Sequence, residues 1–335
     1  MMRPRALATL LAAALLVAAC GDDDGGSDAA AVDSPATEPA SGDTTGGDEA
    51  AGAVTIDHTY GETTIESTPE RIVSIDTQWT DVLVALDAPL VAATHDPVPE
   101  DGRFPWQDDM PESVEDIPVG DSIPFEAIAA AQPDLIVITY FAVDEATYDR
   151  LTEIAPTIPL LGDEQVDAWQ DIATVAGRIL HKEDEAAQLI ADAEQLAVDV
   201  LADLPGLEGK TYALANYVPG DAIYVVADPD DGAATFFAQL GLQIDPELLA
   251  IADGESGRVQ LSLERIDELD SDLLIILTNG AETSDIPGYD LLPAVEDGAV
   301  AVLDTEDVTG LNTPTPLSIP YSLERIREAL EAAAS

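Results

Sequence analysis

Apolar residues fall along the chain in short runs, separated by amphipathic stretches and turn residues. "RIVSI" (71–75) and "LVAAT" (90–94) show little alternation, the mark of strands covered on both faces. Between them "DTQWTDVLVALDAP" scans as a loop and a helix. A helix over 124–131, a strand over 135–140, a helix near 144–153 and "TIPLL" follow. This βαβα order predicts a parallel sheet with helices on both sides. Ahead of it, "AVTIDHTYGETTIEST" predicts a hairpin turning near Gly61. A second set starts at Lys210 with "KTYALANYV" and "AIYVVAD", then a helix at "GAATFFAQLG", "RVQLS", "AVAVLDT" and a closing helix near 317–333.

One unit is written twice. "PFEAIAAAQPDLIVITY" (Pro124–Tyr140) returns 138 residues later as "SLERIDELDSDLLIILTN" (Ser262–Asn279). Glu126 then meets Glu264, Ile128 meets Ile266, Asp134 meets Asp272 and Leu135 meets Leu273. Between the two sets, Leu189, Ile190, Ala193, Leu196, Ala197, Val200, Leu201 and Leu204 recur at intervals of three and four. They trace one face of a helix that Pro205 and Gly206 stop. At 1.5 Å per residue that helix is roughly 33 Å long, about the width of one lobe. The expected fold is α/β: two Rossmann-like lobes with mostly parallel sheets, residues 54–182 and 205–335, joined by one long backbone helix over 183–204. In open parallel sheets ligands collect beyond the carboxyl ends of the strands, so two such lobes aim both sets of loops at a shared cleft.

The first 53 residues follow other rules. Arg3 and Arg5 precede "ALATLLAAALLVAA", an apolar run shorter than the roughly 20 residues a membrane-spanning helix needs. It ends at "VAAC", where Cys20 is the chain's single cysteine. The pattern resembles the lipobox of bacterial lipoproteins, which implies a signal peptide over 1–19 and lipidation of Cys20, outside the cell membrane. Residues 20–53 are small and acidic and hold no aromatic side chain, the composition of a disordered linker. A flexible chain of that length reaches on the order of 30 Å.

The chain carries 67 acidic against 12 basic residues, and −57 net once Arg3 and Arg5 are removed. Nucleic acid and anionic lipid surfaces are therefore repelled. Beyond about 8–10 Å the field is screened, so it does not dictate what a closed cleft accepts. A single thiol excludes a disulfide framework and a multi-cysteine zinc site. The histidines are His58, His95 and His181, scattered along the chain, which speaks against a bare-metal binder.

From Thr68 onward, "TPERIVSIDTQWTDVLVALDAPLVAATHDP", "VGDSIPFEAIAAAQPDLIVI", "YDRLTEIAPTI", "WQDIATVAGRILHKEDEAAQLIADAE" and "PLSIPYSLERI" resemble the substrate-binding lipoproteins of bacterial ABC importers for iron–siderophore complexes. This is the helical-backbone class that also takes haem and cobalamin. The resemblance implies a monomeric binding protein without catalysis or cofactor, which captures a ferric chelate and presents it to the importer's permease and ATPase. It also implies that Glu126 and Glu264 dock on permease arginines. Some relatives carry an arginine where Asp121 stands, which turns the expected ligand from an anionic catecholate complex toward a neutral or cationic hydroxamate type.

Ligand contacts are expected from the loops that follow strands. In the first lobe these hold Trp79, His95, Arg103, Phe104, Trp106, Tyr140 and Phe141; in the second, Tyr217, Tyr224, Phe236, Arg258 and Asn279. Trp79 is placed in the cleft because its flanks Asp76, Gln78 and Asp81 are polar. Arg103 sits between aromatics in a long proline-rich loop, where it meets either the ligand or a carboxylate such as Asp101 or Asp108. Aromatic walls suit a bulky chelate. A lipid-anchored hydrolase is the rival from another class, but "GESGR" is not a nucleophile elbow.

Overall fold

The computed structural model describes residues 52–95, 98–99, 102–118, 122–139, 144–162, 166–252 and 258–335, the side chain of His95 excepted. The segment opens with the expected hairpin, β1 (Val54–His58) antiparallel to β2 (Gly61–Ile65). The first sheet contains β3 (Ile72–Ser74), β4 (Leu90–His95), β5 (Glu115–Pro118), β6 (Leu135–Val137) and β7 (Thr157–Ile158). All are parallel, in the order β5-β4-β3-β6-β7. Its connecting helices are α1 (Thr77–Ala85), α2 (Phe125–Ala130) and α3 (Glu145–Thr152), followed by α4 (Trp169–Leu180). Alternation along the strands fills both faces of this sheet. Ile72, Leu135 and Val137 join the main core, while Val73, Ile136 and Ile138 form a separate cluster with Ile128 of α2.

The long helix α5 (Glu183–Asp203) ends one residue short of the expectation. Glu183, Asp184 and Glu185 in its first turn complement the helix dipole. It packs on α4 closely enough that a Cβ on Gly177 would come 2.6 Å from that of Ala186.

The second sheet contains β8 (Thr211–Tyr217), β9 (Ile223–Val226), β10 (Gln243–Ile244), β11 (Arg258–Leu261), β12 (Leu273–Leu277) and β13 (Val300–Leu303). Its helices are α6 (Gly232–Gln239), α7 (Pro246–Ala252), α8 (Pro293–Glu296), α9 (Thr305–Asn312) and α10 (Ser318–Ala333). The order is β11-β9-β8-β12-β13, with β10 beside the start of β8. This sheet is mixed, because β9 runs antiparallel to both β8 and β11. The reason is the link between β8 and β9: "VPGD" turns tightly, with Gly220 at φ 76°, and so short a link cannot make the crossover that parallel neighbours need. α6 and α10 pack on α5, so this one helix touches both halves.

The repeated unit has the same structural role in both sheets. Asp134 accepts hydrogen bonds from the main-chain N–H of Glu70 and Arg71, just ahead of β3. Asp272 accepts from the main-chain N–H of Thr211, the first residue of β8, and from Lys210 Nζ. Each aspartate thus ties the start of its own strand to the start of the neighbouring central strand. Leu135 and Leu273 are fully buried behind them. The copies differ in their helices: α2 is α-helical, whereas Leu263–Leu269 is a 3-10 segment broken at Arg265.

Candidate functional site

In each sheet the order of strands reverses beside the central strand, β3 or β8, and the crevice at the carboxyl ends there is where open sheets collect ligands. Each crevice is bridged by a polar side chain. In the first sheet Asp76, after β3, accepts from the Thr139 main-chain N–H at 2.7 Å and the Thr139 hydroxyl at 3.0 Å, beyond β6. Its other oxygen caps α1 through the Trp79 N–H at 2.8 Å. In the second sheet Asn279, beyond β12, donates to Asn216 Oδ1 at 2.6 Å and to the Tyr217 carbonyl at 2.8 Å. Asn279 has φ 52°, a conformation that asparagine tolerates better than most side chains.

One turn further along α1 lies Asp81, which is fully buried. Its carboxylate accepts from Trp106 Nε1 at 2.8 Å, Gln107 Nε2 at 2.6 Å and the Thr315 hydroxyl at 2.6 Å. Thr315 belongs to the loop between α9 and α10, so this bond joins the two halves. Burial pushes both Asp76 and Asp81 up to about 6, against the pull of their hydrogen bonds. Trp106 stacks on Phe104 with centroids 4.5 Å apart and leans on Tyr321 at 5.4 Å. A Cβ on Gly310 would come 3.1 Å from the Trp106 ring, so this glycine lets α9 approach. Tyr321 donates to Asp307, which also takes a two-bond fork from Arg325. Burial alone would raise Asp307, but these partners hold it below the ordinary carboxylate range.

Four sequence-predicted residues lie in the interior rather than against open space. Trp79 is 0% exposed, and its polar flanks have other uses: Asp76 caps, Gln78 donates to the Pro314 carbonyl, and Asp81 ties the seam. Phe104 is buried under Trp106, Phe236 packs edge-on against Phe237, and Tyr217 closes β8 from inside. The common cause is that a strand end and a helix start are also where large side chains fill the core. Arg258 is exposed but begins β11 opposite Val226, whereas Leu261 lies opposite Ile223, which pairs with Tyr217 at the carboxyl edge. That places Arg258 roughly 10 Å from the edge.

Other predicted residues stay near the edge. Trp106 is half-buried at the seam, Tyr224 is half-buried with its hydroxyl on Asp221, and Asn279 is exposed. Arg103 pairs with Asp116 at 3.1 Å, a carboxylate the sequence reading did not name, and Asp101 lies outside the described residues. Together with Thr77, Thr80, Thr94 and Gln107, Arg103 and Asp116 line a cavity of about 10 Å³, room for a single water. A larger cavity, about 570 Å³, opens at the far, amino-terminal end of the second sheet around Lys210 and Asp272, away from both crevices. Tyr140, Phe141 and Cys20 lie outside the described residues, as does the side chain of His95.

Glu126 and Glu264 are exposed in the first turns of their helical segments, which leave the carboxyl edges after β5 and β11. The seam residues Gln107, Asp81 and Thr315 escaped the sequence reading, because nothing local links positions 234 apart. The one available signal was Asp81 itself, a charge on the apolar side of "DVLVAL". Among the described residues no cluster of histidine, cysteine and carboxylate side chains is placed to hold a metal ion, and no helix is long and apolar enough to cross a membrane.

This chain is similar to the ferric enterobactin-binding periplasmic protein FepB of Escherichia coli, with 36% identity over 145 residues, 41% of this chain and 45% of that protein. That match therefore spans under half of the relative's length. The Fe(3+)-citrate-binding protein YfmC of Bacillus subtilis is 26% identical over 269 residues, 74% of this chain and 78% of that one. A periplasmic solute binding protein from Mycobacterium smegmatis superposes with a TM-score of 0.72 at 26% identity, covering 85% of this chain and 99% of that chain. The family described as periplasmic binding protein matches residues 72–306, which includes both central strands, the long helix and the seam residues of α1, and the chain belongs to that family.

Proposed function

We propose that this chain is an extracytoplasmic solute-binding lipoprotein that captures a ferric siderophore, or a related iron chelate, between its two lobes. It delivers the chelate to the permease and ATPase of an ABC importer and carries out no chemistry of its own. The observation that carries this reading is the family match over both lobes, joined with relatives whose names specify ferric enterobactin and ferric citrate. Two crevices at carboxyl edges, with half-buried Trp106 and Tyr224 and exposed Asn279 beside them, suit a bulky chelate. Arg103, His95, Tyr140 and Phe141 complete the proposed wall. Cys20 is the proposed lipid anchor after removal of residues 1–19, and the protein acts as a monomer. Glu126 and Glu264 are its proposed contacts with the permease.

The test is a fluorescence titration of the mature protein. Ferric hydroxamates, ferric catecholates, ferric citrate, haem and cobalamin are added in turn, and tryptophan emission is followed. Saturable quenching by an iron chelate is expected. A preference for haem or cobalamin would move the protein to another branch of the same importers, and a flat response to all five would end the reading.

A further inference from the structure

We infer that this site takes a ferric chelate of zero or positive net charge, such as a trihydroxamate, and discriminates against anionic chelates, ferric triscatecholates above all. The inference rests on the chelate-binding reading above and is carried by where the structure places its cations and its helix starts.

A protein holds a multiply charged anion in two ways, with arginine or lysine side chains or with the free N–H groups at helix N-termini. The first is largely committed elsewhere. Near the carboxyl edges and the seam, Arg103 is paired with Asp116, Arg265 with Glu268 and Arg325 with Asp307. Arg150 lies over the Phe125 ring at 3.6 Å. Lys210 and Arg327 are also in ion pairs, the former at the amino end of β8. Arg71, Arg178 and Lys182 donate to main-chain carbonyls of Ala131, Thr55 and Leu86. Arg258 starts β11 away from the edge. The residues beyond position 51 that the structure does not describe include no lysine or arginine, so they add no ammonium or guanidinium group wherever they lie.

The second way is restricted by carboxylates at four helix starts, while α2 and α10 begin without a carboxylate cap. Asp76 caps α1, Asp144 caps α3, Asp231 caps α6 and Asp304 caps α9, each accepting a main-chain N–H of its own first turn. α1, α3 and α9 each follow a parallel strand of their sheet, and α6 starts beside the Asn312 carbonyl next to the seam. Behind them the Asp81 carboxylate adds negative charge with no cation in contact. At α1, α3, α6 and α9 an anionic chelate would meet helix starts already filled by negative charge. A neutral one needs no such partner, and a cationic one also gains from the same field.

The experiment titrates the full mature chain with three ferric probes: a cationic linear trihydroxamate, a neutral cyclic trihydroxamate and a trianionic triscatecholate. The expected result is affinity for the two hydroxamates at least about 100-fold above that for the triscatecholate, with the cationic probe weakening as salt is added. Asp116→Asn, which removes the Asp116 carboxylate from beside Arg103, is expected to narrow that gap about tenfold. Equal or tighter binding of the triscatecholate would overturn the charge selectivity while leaving the chelate-binding reading intact. Failure of all three probes to bind would overturn this inference, and the chelate-binding reading falls with it only if ferric citrate also fails to bind.

Discussion

The Thr315 hydroxyl donates to the Asp81 carboxylate at 2.6 Å, linking a helix of the first sheet to the last loop of the second across 234 residues. Asp81 has two further donors, Trp106 and Gln107, so every partner offers it a hydrogen. In Asp81→Asn the amide NH₂ must face one of those donors. At pH 7.5 the variant is expected to lose about 1–3 kcal/mol of stability in denaturant unfolding, and Thr315→Val about 1 kcal/mol. An unchanged midpoint in Asp81→Asn would mean that the seam contributes nothing.

Asp76 and Asp81 give the protein an acid-side stabilisation. Their folded values, about 6, lie above the value near 3.9 that an aspartate has in an unfolded chain. The folded state therefore binds these protons more tightly. Their contribution is fully present below about pH 4 and is lost as pH rises through 6, on the order of 2–3 kcal/mol per group. Asp307 and Asp272, held below the ordinary range, act in the opposite sense and destabilise only at lower pH. Thermal unfolding should therefore show a higher midpoint at pH 5 than at pH 7.5. Asp81→Asn should lose part of that difference.

The duplicated aspartates predict paired losses. Asp134→Ala removes the acceptor of two main-chain N–H groups, and Asp272→Ala removes that of one N–H, the Thr211 hydroxyl and Lys210. Each is expected to cost about 1–2 kcal/mol, less than a fully buried site because both are partly exposed. Hydrogen exchange should quicken at Arg71 in the first variant and at Thr211 in the second. Exchange that speeds up far from those strands instead would mean the aspartates do not act locally.

The tryptophans differ in what they can report. Trp79 and Trp169 are buried, and Trp106 is half-buried at the seam. Acrylamide should quench one emitting class out of three residues, and Trp106→Phe should abolish that class. The same substitution leaves Asp81 with two donors, so its stability loss should be about 1 kcal/mol or more. Quenching that persists in Trp106→Phe would place a second tryptophan in open space.

Replacing both Glu126 and Glu264 with alanine is expected to abolish chelate uptake by whole cells while ligand affinity and unfolding midpoint stay within experimental error. Both side chains are exposed and have no hydrogen-bond or ion-pair partner among the described residues, so nothing in the fold depends on them. A fall in affinity would assign them to the ligand instead.

Local pattern determined much of this protein. The apolar runs specify both central strands, the three- and four-residue spacing specifies α5 to within a residue, and the repeated unit announces two sheets with one strand order. These are properties of periods of two and 3.6, which a chain carries with it before it folds. The direction of β9 was also local, written in the Pro219–Gly220 turn, but a run such as "AIYVVAD" looks alike in either direction. Tertiary structure decided the site. Trp79 and Phe104 went to the core and Trp106 to the seam, although all three sit in polar company along the chain. Whether an aromatic ring meets solvent depends on what covers it, and here the cover comes from Thr315, Gly310 and Tyr321, more than 200 residues away.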